Sequence, residues 1–278
     1  MRLIRFGAAG QEKPGLWQAG KIVDLRTIFP EIPDVGGRFL ADGWLQRIEK
    51  VKEPGQKLDV RLGCPINRPS KIICLGLNYI DHREESGFEK PLKPLLFSKT
   101  SNALNGPFDP ILLPQSCDQI DWEAELAVVI GKAGKRIPAS KALDYVAGFS
   151  VMNDVSGRQA QFSDGQWFRG KSFDTFAPMG PALVTIDEIE NLQNLNVTAR
   201  VNGKVMQDGN SADMLFDIPT IIAFISQDIT LWPGDIISTG TPSGVGIFRD
   251  PPVLLKEGDV VECGVEGVGI IRNTVKRS

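Results

Sequence analysis

Apolar residues along this chain come in short runs punctuated by Gly, Pro and Asn, with few stretches of helical periodicity. Ile72–Leu77, Leu126–Ile130 and Ala147–Met152 read as buried strands, and Leu3–Phe6 and Lys21–Leu25 as short strands around a Gly-rich turn. Asn196–Val201, Asp235–Ser238, Val260–Val265 and Gly269–Val275 are also strand-like, separated by turns such as Asn202-Gly203. Helical spacing is confined to Phe39–Val51, Ala139–Tyr145 and Pro219–Ser226, with a helix beginning around Asn78–His82. Lys52–Ser70, with Pro54, Pro65 and Pro69, reads as a linker, and residues 91–114 as mostly loop. These patterns predict a mixed α/β, mainly β fold without regular βαβ alternation. They divide it into a small N-terminal domain with its linker (1–69) and a larger domain (70–278).

One strand carries an electrostatic anomaly. Successive strand side chains alternate faces, so Glu123 and Glu125, at the mouth of the apolar run Leu126–Ile130, point the same way. Two buried carboxylates side by side repel unless a positive charge lies between them. A divalent cation is the natural candidate, and a third acid, Asp154, ends the strand predicted at Ala147–Met152. Arg158 and Gln161 follow Asp154 by four and seven residues, a spacing that would stack all three on one helix face. His82 and Glu85, three apart, share another helix face, where a carboxylate orients an imidazole as a general base. Taken singly, each of these residues is as readily a solvated surface group; taken together, the acids describe an oxygen-lined cation site.

Composition narrows the chemistry. The chain has 278 residues, 42% of them apolar and 23% charged, the balance of a globular enzyme. Its net charge of −3 and lack of a basic tract argue against nucleic-acid binding. No apolar stretch approaches ~18 residues, so no membrane span is expected, and no signal-peptide pattern is seen, which points to the cytoplasm. Cys64, Cys74, Cys117 and Cys263 are scattered and read as reduced core thiols. The single histidine rules out a His-rich metal site, so ligands would be oxygens and the ion magnesium, manganese or calcium.

Gly165-Gln166-Trp167-Phe168-Arg169-Gly170-Lys171-Ser172 matches the phosphate-loop pattern letter for letter. That pattern needs a buried strand before it and a helix after it; here polar residues precede and prolines follow. The match is read as fortuitous, and a phosphate-loop nucleotide hydrolase using Lys171 and Ser172 is disfavoured. Gly244-Val245-Gly246 and the glycines of 264–269 likewise lack the strand–turn–helix context of a dinucleotide site.

From about residue 71 to 275 the chain resembles the fumarylacetoacetate hydrolase superfamily. The matching residues are Gly76-Leu77-Asn78-Tyr79, Asp81-His82 and Glu85; Asp121-Trp122-Glu123 and Glu125 through Gly131; and Asn153-Asp154-Val155-Ser156 with Arg158. Gly170-Lys171-Ser172-Phe173-Asp174, Val201-Asn202-Gly203 and Thr239-Gly240-Thr241-Pro242 with Gly244-Val245-Gly246 extend the match in the family's order. The resemblance implies a β-roll-like catalytic fold, usually dimeric, with magnesium or manganese held by Glu123, Glu125 and Asp154. It further implies His82 and Glu85 as a water-activating dyad on a lid, Lys171 near the metal, and Arg158, Gln161 and Thr241 as substrate contacts. Gly157 and Gln159 stand where the family commonly has Ala and Asp. Arg5-Phe6-Gly7 through Gly15, with Gly165-Gln166-Trp167, is similar to bacterial members assigned to diketo-deoxy sugar-acid breakdown.

The activity implied is metal-dependent hydrolysis of a C–C bond in a 2,4-diketo acid, an acylpyruvate, releasing pyruvate. Oxaloacetate decarboxylation or keto-acid tautomerisation on the same site is the alternative, since both also pass through an enolate. A non-catalytic metal-binding protein with this fold is the reading from another class.

Overall fold

A computed structural model describes residues 1–277. Along the chain run β1 (Arg2–Phe6), β2 (Lys13–Gln18), β3 (Lys21–Asp24), α1 (Leu25–Ile28), α2 (Gly37–Ala41), α3 (Trp44–Ile48) and β4 (Leu62–Gly63). Then follow β5 (Ile72–Gly76), α4 (Ile80–Ser86), β6 (Leu95–Lys99), β7 (Leu104–Asn105), β8 (Ile111–Leu113), β9 (Ile120–Asp121) and β10 (Ala124–Ile130). The middle of the chain holds β11 (Val146–Asn153), β12 (Ser156–Gly157), α5 (Arg158–Ser163), α6 (Phe168–Lys171) and β13 (Ala177–Val184). The last elements are β14 (Asn196–Val201), β15 (Lys204–Asn210), α7 (Ile218–Ser226), β16 (Ile236–Ser238), β17 (Val260–Val265) and β18 (Gly269–Arg277). The architecture is mixed α/β and mainly strand.

The larger sheet has eleven strands in the order β3-β2-β1-β13-β11-β10-β16-β5-β6, with β4 added beside β1 and β7 beside β13. The second sheet, β15-β14-β17-β18-β8, has five. β10 and β11 lie at the centre of the larger sheet and every residue of β10 is buried, which is why its apolar run is continuous rather than alternating. The first 69 residues contribute β1 to this same sheet, Leu3 pairing with Leu183 of β13. Arg5 fastens that edge with ion pairs to Glu12 and Asp34, and Arg61 with pairs to Glu12 and Asp109.

Two expectations need correction. The pattern at Phe39–Val51 is not one helix but two short ones, because Gly43 takes a left-handed φ of 71° and ends the first turn there. Residues 91–114 are not loop throughout: β6, β7 and β8 lie within them. Their prolines and glycines fall between the strands, and tertiary pairing with β5, β13 and β18 supplies what local pattern does not.

Phe149, fully buried in β11 between Val128 and Val184, sits at the centre of the larger sheet. Phe149→Ala should lower the free energy of unfolding in urea by about 3–5 kcal/mol. A loss under about 1 kcal/mol would show that this strand is not where the core's packing is concentrated.

Candidate active site

The register of two antiparallel strands assembles the acids. Ala124 of β10 pairs with Asn153 of β11, so Glu123 and Asp154, just beyond the pair, meet at the sheet's end. The chain is pinned there by Asp154 N–H donating to the Glu123 carbonyl at 2.8 Å and Glu123 N–H to Asn153 Oδ1 at 3.0 Å. Glu125, two residues on, is fixed from the other neighbour, β16. Ser238 Oγ donates to its Oε2 at 2.5 Å and Gly240 N–H to the same oxygen at 2.9 Å. Ligand atoms of Glu123, Glu125 and Asp154 all lie within 4.8 Å of one another, and all three residues are buried.

Buried bases compensate most of this charge. Lys171 Nζ bridges Glu123 Oε2 at 2.7 Å and Asp154 Oδ2 at 2.8 Å. Lys99, at the end of β6, donates to the other Asp154 oxygen at 2.6 Å and to the Val155 carbonyl at 3.1 Å. Arg158 pairs with Glu123 at 2.7 Å and with Asp121 at 2.8 Å. Burial alone raises the pKa of Glu123, but Lys171 and Arg158, with a smaller contribution from His82, outweigh it and bring the carboxyl down to about 2. Burial, followed by the charges of Asp154 and Glu123, instead pushes Glu125 well above the usual carboxylate range. Lys171 loses stability of its charge to burial, yet Asp154 and Glu123 more than restore it, so it stays an ammonium.

Four buried acids (Asp121, Glu123, Glu125, Asp154) therefore face three buried bases (Lys99, Arg158, Lys171), and Glu125 is the acid left over. Its Oε1 is buried without a hydrogen-bond partner. An unpaired, buried carboxylate oxygen among two further carboxylates is the donor set a hard divalent cation takes, and the residues present fit one. Glu123, Glu125 and Asp154 would hold it, with Lys171 sharing two of the three.

The histidine lies on the short helix α4, which Gly87 closes in a left-handed conformation. His82 Nδ1 is 2.8 Å from Glu85 Oε1; a carboxylate only accepts, so Nδ1 carries the proton and Nε2 is left as the basic nitrogen. Glu85 Oε2 accepts the N–H of Gly244 at 2.8 Å, and Asp81 Oδ2 accepts that of Ser243 at 3.0 Å. These two carboxylates clip α4 to the Gly-rich loop that follows β16. His82, Glu123, Arg158, Gln161, Lys171 and Thr241 line one cleft with Phe88, Phe97, Phe162, Trp167 and Phe248.

The three expected substrate contacts are largely committed to the protein itself. Four of the five N–H groups of Arg158 go to Asp121, Gln161 and Glu123. Thr241 Oγ1 donates to the Ala124 carbonyl and accepts from Gln207. Gln161 Oε1 accepts from Arg158, which turns its amide nitrogen away from that contact. The expectation that Asp154 shares a helix face with Arg158 and Gln161 is not met, because α5 begins only at Arg158 and Asp154 precedes it in extended chain. Glu123 joins Arg158 to Asp154 instead, Arg158 gripping it from one side and Lys171 tying it to Asp154 from the other, while Gln161 follows through Arg158.

Three contributors were missed by sequence reasoning. Asp121 accepts from Arg158 and from the N–H groups of Trp122, Gly246 and Ile247. It shares the alternation of Glu123 and Glu125, so a signal was present. Lys99 and Gln207, by contrast, reach the site across the sheets and carry no local mark. The phosphate-loop segment is a different structure altogether: helix α5 precedes it, and Lys171 is enclosed by carboxylates. A side chain at Gly170 would come within 2.5 Å of Gln161 N, so this glycine serves the contact between α5 and α6. The four cysteines are free and buried. Among the described residues no helix is long and apolar enough to cross a membrane.

At the end of a mainly β architecture the chain thus sets a buried carboxylate triad, a donor set that fits a divalent ion, beside an oriented imidazole. The chain belongs to the fumarylacetoacetate hydrolase family: the family's C-terminal domain profile matches residues 71–276. It is 46% identical over 286 residues to the mitochondrial oxaloacetate tautomerase Fahd2a of Rattus norvegicus, covering 99% of this chain and 91% of that one. It superposes on the fumarylacetoacetate hydrolase of Exiguobacterium antarcticum with a TM-score of 0.88 at 38% identity, over 100% of both chains. It also superposes on the maleylpyruvate hydrolase of Sphingobium sp. SYK-6, described in complex with manganese and pyruvate, with a TM-score of 0.82 at 30% identity over 100% of both.

Two predictions follow from the charge balance. Glu123 is held below its ordinary 4.5, so its ionised form stabilises the fold above that pH and the contribution fades as the pH falls toward about 2. In metal-free protein, urea midpoints measured across this window should fall with pH, and Glu123→Gln should flatten that slope; an unchanged slope would contradict the pairing described. Mg2+ or Mn2+ at 100 times Kd should add about 2.7 kcal/mol to the unfolding free energy. Glu125→Gln should abolish that gain, read by thermal shift, and a full gain in this variant would exclude Glu125 as a ligand.

Proposed function

We propose that this chain interconverts the enol and keto forms of a short 2-keto acid of the oxaloacetate type, with magnesium as the ion at Glu123, Glu125 and Asp154. The observation that carries this reading is the single oriented acid–base pair, His82–Glu85, whose His82 lines one cleft with Glu123 and Lys171. The relatedness to an oxaloacetate tautomerase across nearly the whole chain supports the same choice.

Tautomerisation moves one proton between an enol oxygen and the neighbouring carbon, and one group that takes and returns a proton suffices. His82 Nε2 would accept the enol proton and deliver it to carbon, while Glu85 stabilises the imidazolium formed in between. Lys171, held as an ammonium, would offset the negative charge that develops on the substrate oxygen. Arg158 orients Glu123, and the aromatic walls exclude water from the exchange. When bound, a divalent ion would supply positive charge at the carboxylate-rich end of the cleft, where a keto acid carries its own negative oxygens.

A second reading, hydrolysis of an acylpyruvate to pyruvate and a carboxylic acid, is favoured by one observation: the same His82–Glu85 pair is equipped to activate a water. The maleylpyruvate hydrolase bound to manganese and pyruvate supports it. Both readings are resolved by one panel. Decay of enol-oxaloacetate is followed by ultraviolet absorbance, and pyruvate release is followed from oxaloacetate and from acylpyruvates, each with and without chelator. Metal-dependent enol decay without pyruvate is expected, and His82→Ala should slow it about 100-fold or more. Turnover unaffected by His82→Ala would refute its role, and pyruvate from acylpyruvates with no effect on enol decay would replace tautomerisation by hydrolysis.

A further inference from the structure

The cleft has a neighbour. A groove of ≈ 470 Å³ runs along the outer strand β6, lined by Leu95, Leu96, Phe97 and Ser98 on one side and Gly165–Phe168 on the other. Its lining is mostly apolar and it is open to solvent, with Phe168 49% and Leu95 40% exposed. Phe97 and Trp167 are the two residues that line both spaces. Their rings meet edge to face at 5.3 Å and form the partition between them.

This partition stands directly behind the charged end of the cleft. Lys171 Nζ lies 4.9 Å from the centre of the Phe97 ring. The indole of Trp167 rests on the backbone of Gly76, the last residue of β5, where even a methyl group would come within 2.5 Å of it. Phe97 is carried by a strand paired along its length with β5. Trp167 is carried instead by the turn between α5 and α6, next to Gly165 with its φ of +69°. One half of the wall is thus built into the sheet, and the other half stands on a connecting turn.

We propose that Trp167 is a specificity-determining residue that sets the length of the substrate: with Phe97 it closes the cleft on the side of the groove and keeps the groove from receiving a longer chain. This rests on the keto-acid reading of the cleft. The groove would take an unbranched or aryl hydrocarbon tail, because its walls offer Leu95, Leu96, Phe97 and Phe168 and no charged side chain.

The test is a series of N-alkyl oxamates, which present a two-carbon keto-carboxylate head and a tail of chosen length. Binding to the magnesium-loaded protein is measured by calorimetry. Wild type should bind oxamate and its shortest alkyl derivatives and lose affinity as the tail lengthens. Trp167→Ala should gain, relative to its own affinity for unsubstituted oxamate, about fourfold in affinity for each added methylene that reaches the groove. Trp167→Phe, the smaller change, should show an intermediate cut-off, and Phe97→Leu should open the same wall from the strand side. An unaltered length profile in all three variants would overturn the proposal. The same holds for a changed oligomeric state with an unaltered profile, which would assign the groove to a second copy of the chain. Failure of both wild type and variants to bind oxamate at all, with magnesium present, would instead count against the keto-acid reading on which the proposal rests.

Discussion

Everything at the functional end of this molecule depends on how buried like charges are kept together. Asp121, Glu123, Glu125 and Asp154 are removed from water by the sheet that carries them, and an unpaired carboxylate there would cost several kcal/mol. Lys99, Lys171 and Arg158 offset three of the four, through contacts of 2.6 to 2.8 Å. The fourth, Glu125, has one oxygen held by Ser238 and Gly240 and the other left without a partner. The cluster is one cation short. A divalent ion would carry it past neutrality to a net positive charge, which suits a site meant for an anion.

The parts of this arrangement that lie close together in sequence were legible there. Alternation along one strand placed Glu123 and Glu125 on a common face, and a three-residue spacing placed His82 against Glu85. The central strands followed from their continuous apolar runs. What was not legible depends on long-range pairing. Lys99 follows an ordinary short apolar run, and nothing near it indicates that Asp154, 55 residues on, will be its partner. Asp154 was found by its residue type and position, but its relation to Arg158 was misjudged, because a short extended segment precedes α5. The strands within 91–114 were hidden for the same reason: their edges are completed by β5, β13 and β18 rather than by neighbours in the chain.

The order of the larger sheet also separates the elements that carry charge from those that wall the cleft. β11, β10, β16 and β5 are consecutive neighbours, so Glu125 lies within a continuous ladder and Glu123 and Asp154 adjoin its end. His82 and Trp167 stand instead on a seven-residue helix and on a turn, attached to that ladder by a few side-chain contacts. The charged cluster is thereby anchored at the end of the sheet, and the base and the aromatic wall on the connections around it.

The contact between Gly244 and Glu85 has a consequence for how this protein should be dissected. Gly244 has a φ of +99°, and a side chain there would collide with the Met206 carbonyl at 2.0 Å, so any substitution at this position reads as a steric defect. Its contribution to the acid–base pair comes from a main-chain N–H, which every residue except proline also supplies. Side-chain scanning will therefore miss it, and replacing that one amide by an ester, which deletes the N–H and keeps the shape, is the substitution that isolates what the backbone does for the base.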